Sequence, residues 1–201
     1  MSLFESPTTE LLPYDGSAVF CPWALGDRDA SQIFAELNEF LPWESRSIRM
    51  FGKDIPQPRL VAWFGDPGCE YSYSGISMNL NEWTPQLLEL KTVCEQFAGT
   101  TFNSALANLY RNGNDKMSWH SDDEPELGIE PCIASLSLGA TRRFKFRHRT
   151  TKEVVECSLP SGSLIVMSGL SQKMWEHEVP RETRVTEPRI NLTFRTVNNL
   201  P

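Results

Sequence analysis

Arg189-Ile190-Asn191-Leu192-Thr193-Phe194-Arg195 alternates strictly between polar and apolar side chains. Read as a strand, the segment puts Arg189, Asn191, Thr193 and Arg195 on one face and Ile190, Leu192 and Phe194 on the other. The apolar face asks for a core. The polar face carries two guanidiniums, an amide and a hydroxyl, which suits a strand lining a pocket for a doubly charged anion. Working back from this strand, nearly everything from Thr101 onward reads as short strands: Phe102–Tyr110, Lys116–His120, Ile133–Leu138, Arg143–Arg149, Val154–Leu159, Ser163–Ser168 and Trp175–Val179. Asn112-Gly113, between the first two, is a turn signal and predicts that they form a hairpin. Many short strands in succession predict a jelly roll.

Helices precede this run, so the class is mainly β with flanking helices. The first 20 residues read as a partly ordered lead-in. Asp29 to Leu41 places Ile33, Phe34, Leu37, Phe40 and Leu41 at helical spacing before Pro42. A second helix has Thr84 as N-cap, Pro85 in the first turn, Leu87, Leu88, Val93, Cys94 and Phe97 as its apolar stripe, and Gly99 as terminator. No repeat, low-complexity tract or linker interrupts the chain. It reads as one catalytic domain over 1–201, with an N-terminal extension and recognition region over about 1–100 and the jelly-roll core over about 101–201.

His120-Ser121-Asp122 supplies an imidazole and a carboxylate at short spacing. Completed by a second imidazole, this is the donor set that holds non-haem Fe(II) on one face and leaves three positions open. With three histidines in the chain, the third ligand is His177 or His148. His148 sits among Lys145, Arg147 and Arg149, cations that disfavour a dication, so it reads as a strand-edge or surface histidine. His177 completes the set. If the hairpin forms, period two puts Asn108 and Tyr110 on one face and Ser118, His120 and Asp122 on one face across the turn. These side chains and the Arg189–Arg195 face then converge on one barrel interior.

Composition agrees with an enzyme. Two hundred and one residues, 40% apolar, can bury a sizeable core without dividing. Cys21, Cys69, Cys94, Cys132 and Cys157 are scattered, odd in number and without a CxxC pair, which favours reduced thiols inside a cell. The N-terminus lacks a signal peptide and no stretch has the roughly 20 apolar residues that span a bilayer. The expectation is a soluble, intracellular monomer without a membrane partner, cytoplasmic in a bacterium and nuclear in a eukaryote. Net charge is −7, yet Arg142, Arg143, Lys145, Arg147, Arg149 and Lys152 cluster locally. In the strand reading Arg143, Lys145, Arg147 and Arg149 share a face, open between phosphate contact and an ordinary solvated surface.

Taken together, Asn108-Leu109-Tyr110, His120-Ser121-Asp122, the distal His177 and the Arg189–Arg195 segment resemble the AlkB-type DNA alkylation-repair dioxygenases. Pro58-Arg59-Leu60, Trp63-Phe64-Gly65 and Tyr71-Ser72-Tyr73-Ser74-Gly75 resemble the family's recognition region. The likeness runs from about residue 45 to the end and is closest to the second and third human homologues. It implies a double-stranded β-helix using Fe(II) with 2-oxoglutarate as cosubstrate. His120, Asp122 and His177 would hold the metal. Arg189, helped by Tyr110, would clamp the distal carboxylate of 2-oxoglutarate, with Asn108, Asn191, Thr193 and Arg195 around the remainder. The implied reaction is oxidative demethylation of 1-methyladenine and 3-methylcytosine in DNA, a DNA-repair reaction that yields succinate, CO2 and formaldehyde.

The same resemblance assigns base stacking to Tyr73, with Tyr71 and Ser72 beside it, against cross-strand packing as the plain alternative. Asp123 would contact the exocyclic amine of a cationic lesion, or is simply a surface acid. Phe51-Gly52-Lys53 resembles the finger that wedges an aromatic ring into a base stack, although Phe51 is also readable as a core residue. Arg59 would reach the flipped base or its phosphate. Two other classes stand beside this one: a 2-oxoglutarate oxygenase acting on RNA, a protein side chain or a small metabolite, and a silent binding protein on the same barrel. Phe51, Arg59, Tyr73 and Asp123 discriminate, because only a base-handling enzyme needs all four.

Overall fold

The computed structural model describes residues 7–50, 53–69, 72–73, 76–77 and 79–198, with backbone alone for 48–50, 53–55, 72–73 and 76–77. In chain order the elements are β1 (Thr9–Glu10), β2 (Ser17–Cys21), α1 (Ala30–Phe40), β3 (Glu44–Met50), β4 (Lys53–Gly65), β5 (Ser72–Tyr73), β6 (Ile76–Ser77), β7 (Leu80–Asn81), α2 (Pro85–Ala98), β8 (Ser104–Tyr110), β9 (Met117–His120), β10 (Ile133–Gly139), β11 (Arg142–His148), β12 (Val154–Leu159), β13 (Leu164–Ser168), α3 (Ser171–Met174), β14 (Trp175–Val179) and β15 (Arg189–Arg195). Among the described residues, a large sheet runs β1-β2-β13-β10-β15-β8-β4-β3, with β7 beside β4, and a small sheet runs β12-β11-β14-β9. From β8 onward the chain passes back and forth between the two sheets, which is the expected jelly roll. No helix of the described residues is long and apolar enough to cross a membrane.

Alternation along the strands decides what each layer holds. Ile190, Leu192 and Phe194 join Ala134, Leu136, Ala105 and Ala107 in a core that also takes Leu37 of α1 and Leu87, Leu90, Val93 and Cys94 of α2. On the opposite face, Tyr110, Ile133, Ile165 and Met167 meet Phe144, Phe146, Leu159, Trp175 and Val179 of the small sheet. Each such side chain is worth roughly 1.5–3 kcal/mol when buried. The helices cover one side of the large sheet, and the space for a site lies on the other, between the sheets.

Local signals set the helix ends. The Asp29 carboxylate accepts from the Ser31 and Gln32 N–H groups at the start of α1. Thr84 Oγ1 accepts from the Leu87 N–H, and Gly99 closes α2 in the left-handed conformation at φ 65°. The stripes need two corrections. Phe40 is 73% exposed, and Leu41 takes the buried position at the end of α1. Leu88 is 44% exposed, since it stands about 100° around the helix from Leu87; Leu90 is the buried neighbour.

The lead-in is also more ordered than expected. β2 pairs with β13 from Ser17↔Ser168 to Cys21↔Leu164, and Leu12, Ala18 and Cys21 are buried. Five residues are too few for a period to show, and the partner strand lies far along the chain.

The expected hairpin does not form. β8 pairs with β15 and β4 in the large sheet, while β9 pairs with β14 in the small one, so Asn112-Gly113 carries the chain across the sandwich. Gly113 lacks the positive φ of a two-residue hairpin turn. It is needed for close approach: its N–H donates to Val185 O at 2.7 Å, its carbonyl accepts from the Glu182 N–H at 2.8 Å, and a Cβ would sit 1.8 Å from Glu182 O.

β11 turns Arg143, Lys145 and Arg147 outward and Phe144, Phe146 and His148 inward. His148 is therefore no surface histidine. At 2% exposure it packs between the rings of Tyr14 and Trp175, and its Nδ1 accepts from the Thr151 N–H at 3.0 Å. The outward cations meet acids on neighbouring strands, Lys145 and Arg143 at Glu156 and Arg147 at Glu176. This is a solvated face with its charge cancelled in place. Arg142 differs: buried, it donates to the carbonyls of Asn112, Asp115 and Pro180 and pairs with Glu182.

Candidate active site

The polar face of β15 looks into the space between the sheets. Opposite it on β8 stand Tyr110 against Arg189, Asn108 against Asn191 and Leu106 against Thr193. On the other side β10 sets Ser135 against Thr193 and Ser137 against Asn191. Because all these strands share one pleat, the polar side chains form a lawn, joined by hydrogen bonds. Thr193 Oγ1 donates to Asn191 Oδ1 at 2.9 Å, and Asn191 Nδ2 donates to Ser135 Oγ at 2.8 Å. Ser135 and Ser137 were not singled out from the sequence, although their alternation with Leu136 and Leu138 was there to be read.

His120 ends β9 and stands directly across from His177 on β14, ring centroids 4.2 Å apart. Two residues on, Asp122 turns back to them. Its N–H donates to Gln172 Oε1 at 3.0 Å, which holds the loop against α3. One ligand atom from each of His120, Asp122 and His177 lies within 4.8 Å of the others. His148 is not among them. Ser118, expected beside His120, is exposed; a register shift between the His177↔His120 and Val179↔Met117 pairs turns Met117 into the cavity instead.

The triad is electrostatically prepared for a cation. His120 Nδ1 lies 2.8 Å from the Ser118 carbonyl, an acceptor only, so Nδ1 carries the proton and Nε2 keeps its lone pair. Burial lowers the His120 pKa against the pull of Asp122. Burial also pushes the His177 pKa down to about 3, with His120 adding to the effect. Both rings are neutral donors at physiological pH. Burial acts to raise the Asp122 pKa, but the Arg195 guanidinium against it outweighs this and keeps the carboxyl ionised. Arg195 Nη2 binds Asp122 Oδ2 at 2.9 Å, and among the described residues nothing donates a hydrogen bond to Asp122 Oδ1. A buried carboxylate oxygen left open beside two imidazole lone pairs fits a metal ion.

The cavity is lined by Arg59, Asn108, Tyr110, His120, Asp122, His177, Asn191, Thr193 and Arg195, with Leu106, Met117, Phe144 and Met167 as apolar walls. Arg189 is not part of this lining but lies against Tyr110, its guanidinium carbon 5.2 Å from that ring's centroid. It is 1% exposed and donates from Nη2 to Ser137 Oγ at 2.9 Å, while among the described residues Nε and Nη1 have no hydrogen-bond partner. Burial draws its pKa down to about 10, opposed by the Tyr110 hydroxyl. A buried fork with open donors fits a carboxylate.

Residues 17–195 match the model of the 2OG-Fe(II) oxygenase superfamily. Alpha-ketoglutarate-dependent dioxygenase alkB homolog 3 of Bos taurus is 46% identical over 187 residues, 88% of this chain and 65% of that protein. DNA oxidative demethylase ALKBH2 of Mus musculus is 38% identical over 205 residues, 96% of this chain and 85% of that protein. The chain belongs to the AlkB-type 2OG-Fe(II) oxygenases. It spans less than two thirds of the length of the alkB homolog 3 relatives it matches. The solved structure of OsALKBH1 shares the fold at TM-score 0.69 and 17% identity, covering 94% of this chain and 100% of that one.

The AlkB-type assignment names Fe(II) and 2-oxoglutarate, and the donor triad and the open Arg189 fork fit both. Of the residues expected to handle substrate, Arg59 is brought into the cavity, buried at 3% exposure. Asp123 lies outside the cavity lining; its side chain is 63% exposed and faces Arg149 at 3.4 Å in an outer groove with Lys173 and Ile129. Phe51, Gly52 and Tyr71 lie outside the described residues, as do the side chains of Lys53, Ser72 and Tyr73.

Proposed function

We propose that this protein removes methyl groups from N-alkylated nucleobases in DNA, 1-methyladenine and 3-methylcytosine among them. The chain would act as one catalytic unit. 2-Oxoglutarate and dioxygen go to succinate and CO2, one oxygen atom is inserted into the methyl C–H bond, and the N-hydroxymethyl product falls apart to formaldehyde and the restored base. The observation carrying this reading is the cavity that holds the His120/Asp122/His177 triad and a buried Arg59, with the Arg189 fork against the Tyr110 ring of its lining.

His120, Asp122 and His177 would hold Fe(II), which when bound supplies the activation of dioxygen by oxidative decarboxylation. Arg195 fixes the Asp122 carboxylate by one oxygen and leaves the other, on the His120 side, for the ion that the triad would hold. Arg189 and Tyr110 would take the distal carboxylate of 2-oxoglutarate, with Asn108, Asn191 and Thr193 along its length. Met117, Phe144 and Met167, the apolar part of the lining, would shield the reacting methyl group from water. Arg59 would face the flipped base inside the cavity. Tyr71, Ser72 and Tyr73 would stack and border the base, Phe51-Gly52-Lys53 would open the duplex, and Asp123 would favour cationic lesions.

The test is formaldehyde and succinate release with methylated single- and double-stranded DNA, with and without Fe(II). Stoichiometric, Fe(II)-dependent release from DNA is expected. Release from methylated RNA alone, or 2-oxoglutarate turnover that no methylated nucleic acid stimulates, would move the substrate to another class.

A further inference from the structure

Arg59 is an unusual interior residue. It is 3% exposed, and among the described residues it forms no ion pair with a carboxylate. Its fixed contacts are two. Nε donates to Asn108 Oδ1 at 2.7 Å, and Nη1 reaches Met117 Sδ at 3.0 Å, a weak acceptor. The short bond to Asn108 is what aims the fork.

Asn108 is itself fixed by what lies behind it. Its Nδ2 donates to Asn191 Oδ1 at 3.3 Å and to Leu106 O at 3.4 Å. Asn191 Oδ1 already takes the Thr193 hydroxyl, and Asn191 Nδ2 is spent on Ser135 Oγ. Turning the Asn108 amide over would set its NH2 against the Arg59 N–H and its oxygen against Asn191 Oδ1, two like-to-like contacts. One amide orientation survives, with the oxygen committed to Arg59. Strand register makes the pair reachable: β4 lies antiparallel to β8 with Val61 opposite Asn108, so Arg59 shares its face.

We propose that Asn108 is a positioning residue for Arg59, holding its guanidinium in the metal cavity to receive the alkylated base. The proposal rests on the demethylase reading above and adds to it. The strand that borders the cosubstrate would also set the substrate-reading group, through an amide whose two ends serve the two sides. Ser135 and Thr193 hold Asn191, Asn191 holds Asn108, and Asn108 holds Arg59.

Asn108→Ala, Asn108→Asp, Arg59→Ala and the Asn108→Ala/Arg59→Ala double variant separate this from a plain structural role. The first readout is the Arg59 Nε–H resonance, found by its loss in Arg59→Ala. It should be protected from solvent exchange in the wild type, exposed in Asn108→Ala, and protected again in Asn108→Asp, whose carboxylate keeps an acceptor for Arg59 while losing the donor to Asn191. The second is affinity for a 3-methylcytosine oligonucleotide by fluorescence anisotropy. Asn108→Ala should weaken it about ten-fold, the scale of one charge-assisted hydrogen bond, and more than it raises the KM for 2-oxoglutarate. Adding Asn108→Ala to Arg59→Ala should change it less than two-fold. An unprotected Nε–H in the wild type, or full additivity in the double variant, overturns the proposal. Failure of the demethylase reading looks different: the wild type then ignores methylation in the oligonucleotide, while the exchange data still decide whether Asn108 positions Arg59.

Discussion

Arg195 Nη2 lies 2.9 Å from Asp122 Oδ2, both side chains are buried, and among the described residues Asp122 Oδ1 accepts no hydrogen bond. The arginine therefore fixes the carboxylate without covering the oxygen that faces the imidazoles. Arg195→Met should lower Fe(II) affinity about 10–100-fold, the usual loss when a partner orienting a metal ligand is removed. Anaerobic Fe(II) titration checks this, and an unchanged affinity would detach Arg195 from the site.

His120→Ala, Asp122→Ala and His177→Ala should each abolish turnover and Fe(II) binding. His148→Ala should bind Fe(II) normally yet melt earlier, because His148 fills the space between Tyr14 and Trp175. A loss of about 1–3 kcal/mol is expected from the emptied volume and the freed Thr151 N–H. Calorimetric titration beside thermal melting distinguishes the two kinds of histidine; iron loss in folded His148→Ala would undo the ligand assignment.

Arg189→Met should raise the KM for 2-oxoglutarate steeply and at the same time raise the melting temperature. The sign of the second effect follows from the buried Nε and Nη1, whose unmet hydrogen-bonding costs about 1–3 kcal/mol in the protein without cosubstrate. Arg189→Lys should recover part of the affinity, since a point charge cannot reproduce the fork. Added 2-oxoglutarate should stabilise the wild type but not Arg189→Met. Equal stabilisation of both would place the anion elsewhere.

Glu182 clamps Arg142 and Arg143. Burial works to raise its pKa, but the Arg143 N–H and the Arg142 and Arg143 side chains outweigh it, so the folded value lies below 4.5. The carboxylate therefore stabilises the fold above pH 4.5, and that contribution is lost as pH falls through the folded value. Glu182→Gln should be less stable at pH 7 by about 1–3 kcal/mol and show a shallower acid limb in urea unfolding followed across pH. Parallel wild-type and Glu182→Gln curves would show the clamp to be inert.

Phe51 separates a wedge from a core residue. As a wedge, Phe51→Ala should slow repair of duplex lesions far more than repair of the same lesion in a single strand, where stacking is already lost. As a core residue, truncation should cost about 3–5 kcal/mol of stability and lower both rates together. Melting temperature measured beside the two rates decides between them.

The periodic features were legible from the order of residues alone. Strict alternation in Arg189–Arg195 placed the polar and apolar faces of the last strand correctly, and Thr84, Pro85 and Gly99 marked the ends of α2, because these signals act within a few residues of one another. The HxD spacing and the scarcity of histidine narrowed the metal ligands to three. Tertiary structure decided which strands became partners. Asn112-Gly113 carries a hairpin signal, yet Gly113 is held by Glu182 and Val185, a contact that no local preference encodes. Period two put His148 on the face of Phe144 and Phe146, but its burial depends on Tyr14 and Trp175 arriving from distant segments. The Arg59–Asn108 bond likewise exists because β4 and β8 lie side by side in one register. Periodicity tells a side chain which face it is on; only the packed sheets tell it what stands opposite.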